Sequence, residues 1–400
     1  MRNNTQRDRG KAVHHPLKKF VSGNVLWMSG AHAVHDLYPG FLPSLLPLVI
    51  TRLSLSKTEA GVLSLFTQFP SVIQPAIGHA ADRHKIQKLA FLTPAVSAVL
   101  MGMTGLVNTY LMLGLLLLLT GISSAVLHAL GPVITHRYAG RNLGRGMSFW
   151  MVGGELGRTM GPLVFVTAVS LVSFKHIYLL AGGGIALSVI LFIKFRNTAD
   201  LHLKNKDPVQ WKEAITNMGP FLGVLALFIF FRSFVMSCIT LYLPTFLTER
   251  GGSLWFSGAS LSLLQASGMA GAFFGGTFSD RVGRRKVLLS GALLSSLFMF
   301  LLTTVEGAAL VPVLLLLGFF TLSLTPVIMA MVLESFPAHR SLANGAYMAV
   351  SFVTRPLVVV LVGVVSDIWG LHTAYLMSGV CMALSLPIIF LLPSAGKSPT

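Results

Sequence analysis

Apolar residues run along this chain in blocks of about 20, the length that crosses a bilayer as a helix, with short polar or basic stretches between them. Twelve spans are predicted, at about 21–50, 58–82, 89–107, 109–136, 146–172, 176–195, 218–248, 255–279, 287–305, 308–333, 342–367 and 371–392. Tilt accommodates the longer ones. The pattern predicts an all-α membrane protein. Its longest polar connection, 196–217, divides two six-helix bundles, 21–195 and 218–393, leaving a basic tail at 1–20 and a short tail at 394–400. Within that connection, Trp211-Lys212-Glu213 predicts a short interfacial helix. Twelve spans put both tails on one side.

Composition excludes a soluble domain. Hydrophobic residues make up 54% of the chain and charged residues 11%, with mean hydropathy +0.74, against about 25% charged in soluble domains. Both cysteines, Cys238 and Cys381, lie in apolar segments, so neither a disulfide framework nor a cysteine metal cluster is indicated. No small-residue cleavage site follows the basic start, so the first span is expected to be retained.

The net charge of +17 would suit nucleic acid, but its placement argues against that partner. Of the 30 Lys and Arg, 23 fall in the loops on the side of the tails, and only Arg52, Lys57, Lys175 and Arg250 fall on the other. Such an excess marks the cytoplasmic face. Both termini are therefore expected in the cytoplasm, as in a multi-pass protein of a bacterial inner membrane. The lipid bilayer is the partner implied.

Ionisable residues interrupt the apolar blocks where lipid asks for Leu or Val. Each costs about 2.5–3.5 kcal/mol at mid-depth, so it survives facing protein or water. In span one, His32 and Asp36 are one helical turn apart and His35 lies beside them, on one face. That face is expected to line a cavity and to carry protons or substrate, with Asp36 the leading proton carrier and the histidines able to share the task. Glu155 and Arg158 in span five, Arg232 in span seven and Arg355 in span eleven complete the mid-span set. Glu155 and Arg158 are spaced to pair locally, so helix locking and transport stay equally open for them. Arg232 and Arg355 lack a local partner, and a guanidinium fork fits carboxylate or phosphonate. Tyr38 and His128 are candidates for the same cavity. Each histidine could instead be a satisfied core side chain. A metal site built from His32, His35, Asp36 and His128 is not favoured, because spacing alone does not bring span four to span one. No Walker loop, nucleophile elbow or H-E-x-x-H occurs, so neither ATP drive, nor an enzyme, nor a cofactor is indicated.

The two halves echo one another. Gly78, Asp82 and Arg83 after span two recur as Gly276, Asp280 and Arg281 after span eight; Pro132-Val133-Ile134 recurs as Pro326-Val327-Ile328. Repeats of this kind place a site between the halves. The second loop continues through Gly283, Arg284 and Arg285, in the form G-x-x-x-D-R-x-G-R-R. It resembles the loop signature of the major facilitator superfamily. The resemblance implies gating roles for these loop residues, with Glu334 as the acidic partner of the arginines. The first copy, with His84-Lys85 after Arg83, lacks the turn glycine and the arginine pair. Three further stretches are similar to the fosmidomycin-resistance branch, proton-driven exporters of a phosphonate drug: His32 to Pro47, Gly121 to His128, and Phe149 to Leu163 with Gly153, Gly157 and Gly161 at fourfold spacing. Glu155 and Arg158 stand where that branch implies neutral residues.

The expectation is a monomeric secondary transporter working by alternating access, coupling protons to efflux of a small amphipathic or anionic compound. Import of an organic anion with protons is the alternative. A receptor or metal transporter on the same fold is less favoured.

Overall fold

The structure is a computed structural model that describes residues 21–84, 86–196 and 211–392. Helices follow in chain order: α1 (Gly23–Leu37), α2 (Leu42–Leu53), α3 (Lys57–Gln68), α4 (Gln74–Arg83), α5 (Thr93–Met103), α6 (Tyr110–Ala139), α7 (Leu143–Val172), α8 (Ala181–Phe195), α9 (Trp211–Ser237), α10 (Leu243–Glu249), α11 (Leu254–Val282), α12 (Arg284–Thr304), α13 (Leu310–Ser335) and α14 (Arg340–Leu391). No strand occurs among the described residues. Among the described residues, eight stretches are long and apolar enough to cross a membrane, and α5 with its flanking turn is a shorter apolar helix.

Several predicted spans are jointed. The first breaks at a 3-10 turn, Pro39–Phe41, and the second at Phe69–Ile73. Proline lacks the N–H that would continue the ladder, so Pro39 and Pro70 open these tighter turns. The seventh passes through one π turn, Cys238–Tyr242, before Pro244 opens α10. At the far end, α14 covers 52 residues, but Gly370 at φ +83° stands outside helical geometry and corners the chain between the two last predicted spans. The interfacial helix expected at Trp211 is not separate: Trp211 opens α9, continuous through Ser237.

Helices α1 and α7 touch backbone to backbone. A Cβ built on Gly153, Gly157 or Gly161 would lie 2.3, 2.2 or 2.6 Å from the carbonyl oxygens of Ser29, Ala33 and Leu37. One glycine stripe at fourfold spacing therefore meets one stripe of carbonyls at the same spacing. Gly157→Ala should lower the melting temperature of the purified protein by several degrees, since overpacking costs about 1–3 kcal/mol. Gly182→Ala, with open space around it, should not; equal melting of the two variants would contradict this packing.

Hydrogen bonds join the two halves of the chain at the end that the loop charges assign to the outside. The Asp367 carboxylate accepts from the Lys57 and Thr58 N–H groups (2.6 and 2.9 Å) and from the Thr58 hydroxyl, at the start of α3. Lys57 Nζ lies 2.6 Å from Glu249, and the Tyr242 hydroxyl donates toward the Lys57 carbonyl at 3.0 Å. Leu163 N–H donates to Ser262 Oγ and Trp255 Nε1 to Thr167 Oγ1. The unpaired N–H groups of a helix start and its positive dipole end suit a carboxylate.

Candidate functional site

Three helices bring the predicted ionisable residues of the first half together. α1 supplies His32, His35 and Asp36, α6 supplies His128, and α7 supplies Glu155 and Arg158. His32 Nε2 lies 3.3 Å from both His128 Nε2 and Asp36 Oδ2, and His128 Nε2 lies 3.8 Å from the same Asp36 oxygen. Arg158 Nη1 stands 3.7 Å from that oxygen, while its Nη2 is 2.5 Å from Glu155 Oε1. His32 and Asp36 are buried, whereas Glu155 and Arg158 are 43% and 46% exposed in mid-helix. Those two therefore open the cluster to a space that solvent reaches.

Backbone carbonyls fix the imidazoles. His32 Nδ1 donates to the Trp150 carbonyl (2.9 Å), and its ring stacks on Trp150 with centroids 4.0 Å apart. His128 Nδ1 donates to the Ser124 carbonyl at 2.8 Å. A carbonyl only accepts, so in the neutral rings both hydrogens sit on Nδ1 and both Nε2 atoms present lone pairs. Three acceptors then face one another: two nitrogens and a carboxylate oxygen. Such a set is repulsive until a cation or a hydrogen-bond donor enters it. Gly154 makes the room, since a Cβ there would stand 2.4 Å from His32 Cε1.

His35 lies beside the cluster rather than in it. Its ring centre is 6.3 Å from that of His128, its Nδ1 is 3.3 Å from Ser97 Oγ, and its wholly buried Nε2 has no partner. Tyr38 is not brought to the site. Its hydroxyl donates to the Leu180 carbonyl and accepts from Gly184 N–H, which uses it to hold α8 against α1.

From the second half, Arg232 is buried and donates to the Thr321 carbonyl (3.1 Å) and Thr325 Oγ1 (2.7 Å), with Nε unpartnered. Arg355 is exposed and reaches Thr240 Oγ1 at 3.3 Å. Arg355 is within electrostatic reach of Arg158 and Glu155, and Arg232 of Arg355 and Tyr347. The charges of the two halves therefore act on one another through Arg355, which the fields of Arg158 and Glu155 reach. Trp150, Ser124, Thr240, Thr325 and Tyr347 were not legible as members, because polar or aromatic residues in apolar spans are common and their contacts are long-range.

The loop after α11 forms a separate group. Arg284 bonds Asp280 at 2.5 Å and Glu334 at 2.7 Å. Gly283, at φ +101°, makes the turn that only glycine takes without strain. Arg285 donates to the Phe390 carbonyl, and Arg281 borders an apolar groove with Phe274 and Phe278. Gly276 makes no close helix approach: a Cβ there meets only Pro326 Cβ, at 3.8 Å, whereas at Gly275 it would stand 2.7 Å from Ser323. Gly78 likewise has open space around it. The side chains of Asp82 and Arg83 lie outside the described residues.

Comparison with known proteins agrees with this architecture. The family model described as Major Facilitator Superfamily matches residues 28–283 and 261–400. The chain is 22% identical to the fosmidomycin resistance protein of Escherichia coli (strain K12), over 91% of each chain. It is 24% identical to the multi-drug resistance efflux pump PmrA homolog of Lactococcus lactis subsp. lactis (strain IL1403), covering 78% of this chain and 81% of the relative. In fold it is similar to a bacterial homologue of the human lysosomal transporter Spinster in an inward-facing and occupied conformation. That likeness has a TM-score of 0.76 at 14% identity and covers 92% of this chain and 96% of that one. The chain belongs to the major facilitator superfamily: it is a multi-pass membrane transporter and not an enzyme.

Proposed function

We propose that this chain is a twelve-span, proton-coupled exporter of a small amphipathic or anionic compound, with two six-helix bundles (21–195 and 218–393) rocking about a midplane site in a bacterial inner membrane. Both termini are cytoplasmic in this reading. The 52-residue α14 with its corner at Gly370 is long enough for two spans, which supports the count. Closure at the outer end, with Glu155, Arg158 and Arg355 exposed at mid-depth, supports an inward-open state.

The observation that carries the proposal is the three-acceptor set of His32, Asp36 and His128 beside a series of arginines. A proton fills that set when the carrier is empty. Exchange follows if a hydrogen-bond donor on the substrate takes the proton's place while its anionic end meets Arg158, Arg232 and Arg355. Glu155 holds Arg158 in reach, and His35 offers a second proton acceptor. The drug resistance named for two relatives, one of them an efflux pump by name, supports export.

One observation favours the reverse task. Arg158 is shared between Glu155 and Asp36, so protonating Asp36 frees Arg158 for an anion, and proton and anion then bind together. Membrane vesicles separate the two readings. For export, labelled fosmidomycin accumulates in inverted vesicles with an acidic lumen. Accumulation only in right-side-out vesicles under external acid would establish import instead, and none in either would reject this substrate class.

A further inference from the structure

We propose that His32, Asp36 and His128 form a binding site for a divalent transition-metal ion, of the class that imidazole and carboxylate hold together (Zn²⁺, Co²⁺, Ni²⁺). The inference goes beyond the transport reading and does not depend on its direction or on proton drive.

The geometry fits tetrahedral coordination. Ligand atoms at about 2.0–2.1 Å from a zinc ion stand about 3.3–3.4 Å from one another. Two of the three separations here are 3.3 Å, and the third is 3.8 Å. All three atoms lie within 4.8 Å of one another, and two imidazoles with one carboxylate leave a fourth position for water or a ligand. The surroundings fit as well. Both rings turn Nε2 inward because their Nδ1 hydrogens are held by the Trp150 and Ser124 carbonyls, the outer contact that orients metal-binding histidines. The negative charge nearest the set is Asp36 itself, whose Oδ2 lies 3.3 and 3.8 Å from the two imidazole nitrogens, while Glu155 takes up the charge of Arg158 at 2.5 Å. Burial of His32 and Asp36 raises the cost of leaving the converging lone pairs unmatched. A third buried imidazole nitrogen, His35 Nε2 beside the cluster, has no partner. The donor set is too rich in nitrogen for calcium or magnesium, which take oxygen ligands.

The test uses the full chain without an affinity tag, stripped with chelator and held in detergent. Equilibrium dialysis against Zn²⁺ should give one ion per chain, and Co²⁺ should produce the visible absorption of a tetrahedral site. Asp36→Asn and His128→Gln should each weaken binding at least about tenfold. His176→Gln should not, since that exposed histidine bonds Ser173 and the Val172 carbonyl at the end of α7, away from the cluster. X-ray absorption at the zinc edge of the wild-type chain, which needs no variant to fold, should show two imidazole nitrogens. An all-oxygen shell, no bound ion in the wild type, or undiminished binding in both variants would overturn the proposal.

Discussion

Replacing Asp36 by asparagine should abolish gradient-driven accumulation while leaving the protein folded. A pH difference of one unit supplies about 1.4 kcal/mol per proton, enough for about tenfold accumulation. In Asp36→Asn proteoliposomes that ratio should fall to about one. Removing one partner of a buried ion pair often costs about 3–5 kcal/mol, but here two features soften the loss. Arg158 keeps Glu155 at 2.5 Å, and the new amide can donate an N–H to His32 Nε2, permanently supplying what a proton supplies transiently. Exchange of substrate without a gradient should therefore persist, and the melting temperature should move by only a few degrees. Accumulation at the wild-type ratio would remove Asp36 from coupling. Loss of exchange together with unfolding would show that its role is structural.

Opening the outer end is the second large effect expected. Asp367 holds the start of α3 through two backbone N–H groups, and Lys57 of the same turn reaches Glu249. Hydrogen bonds to a charged group contribute about 1.5–3 kcal/mol where water is excluded. This edge is exposed, so about 1.5 kcal/mol for the ensemble is the realistic scale, and that shifts a two-state equilibrium about tenfold. The combined Asp367→Asn, Glu249→Gln variant should populate the outward-open form correspondingly. Ser44 is a suitable reporter, buried where α2 meets Gly258 of α11. A Ser44→Cys protein lacking Cys238 and Cys381 should react about tenfold faster with an impermeant maleimide added from outside once the latch is removed. An unchanged rate would mean that the remaining contacts, such as those of Tyr242 and Ser262, close this end alone.

Local periodicity made much of this legible. The i, i+4 spacing of His32 and Asp36 put both on one face, and the structure keeps them 3.3 Å apart. The fourfold glycine spacing in span five is the pattern a close helix contact needs, and the predicted boundary between the last two spans falls at Gly370. Long-range contacts were not legible. His128 is a candidate for the cavity from its span alone, but nothing in the spacing says that it arrives from 96 residues away to set its Nε2 beside that of His32. Tyr38 was misread for the same reason: its hydroxyl is consumed by α8, 142 residues on. The loop motif names Gly276, whereas the close contact falls at Gly275, on the side of the helix that faces α13. Asp367 went unnoticed as a carboxylate near a span end. Its signal was faint: a second carboxylate was available for a helix start that Ser56 and Glu59 already cap reciprocally.

The glycine seam between α1 and α7 constrains how the carrier can move. With carbonyls set directly against α-carbons, no side chains cushion that boundary, and neither helix can slide without collision. His32, Asp36, Glu155 and Arg158 must therefore travel as one stiff jaw. Under the rocking motion proposed above, what varies over a transport cycle is the gap from this jaw to Arg355 on the opposite one, and that gap is the distance the substrate would have to measure.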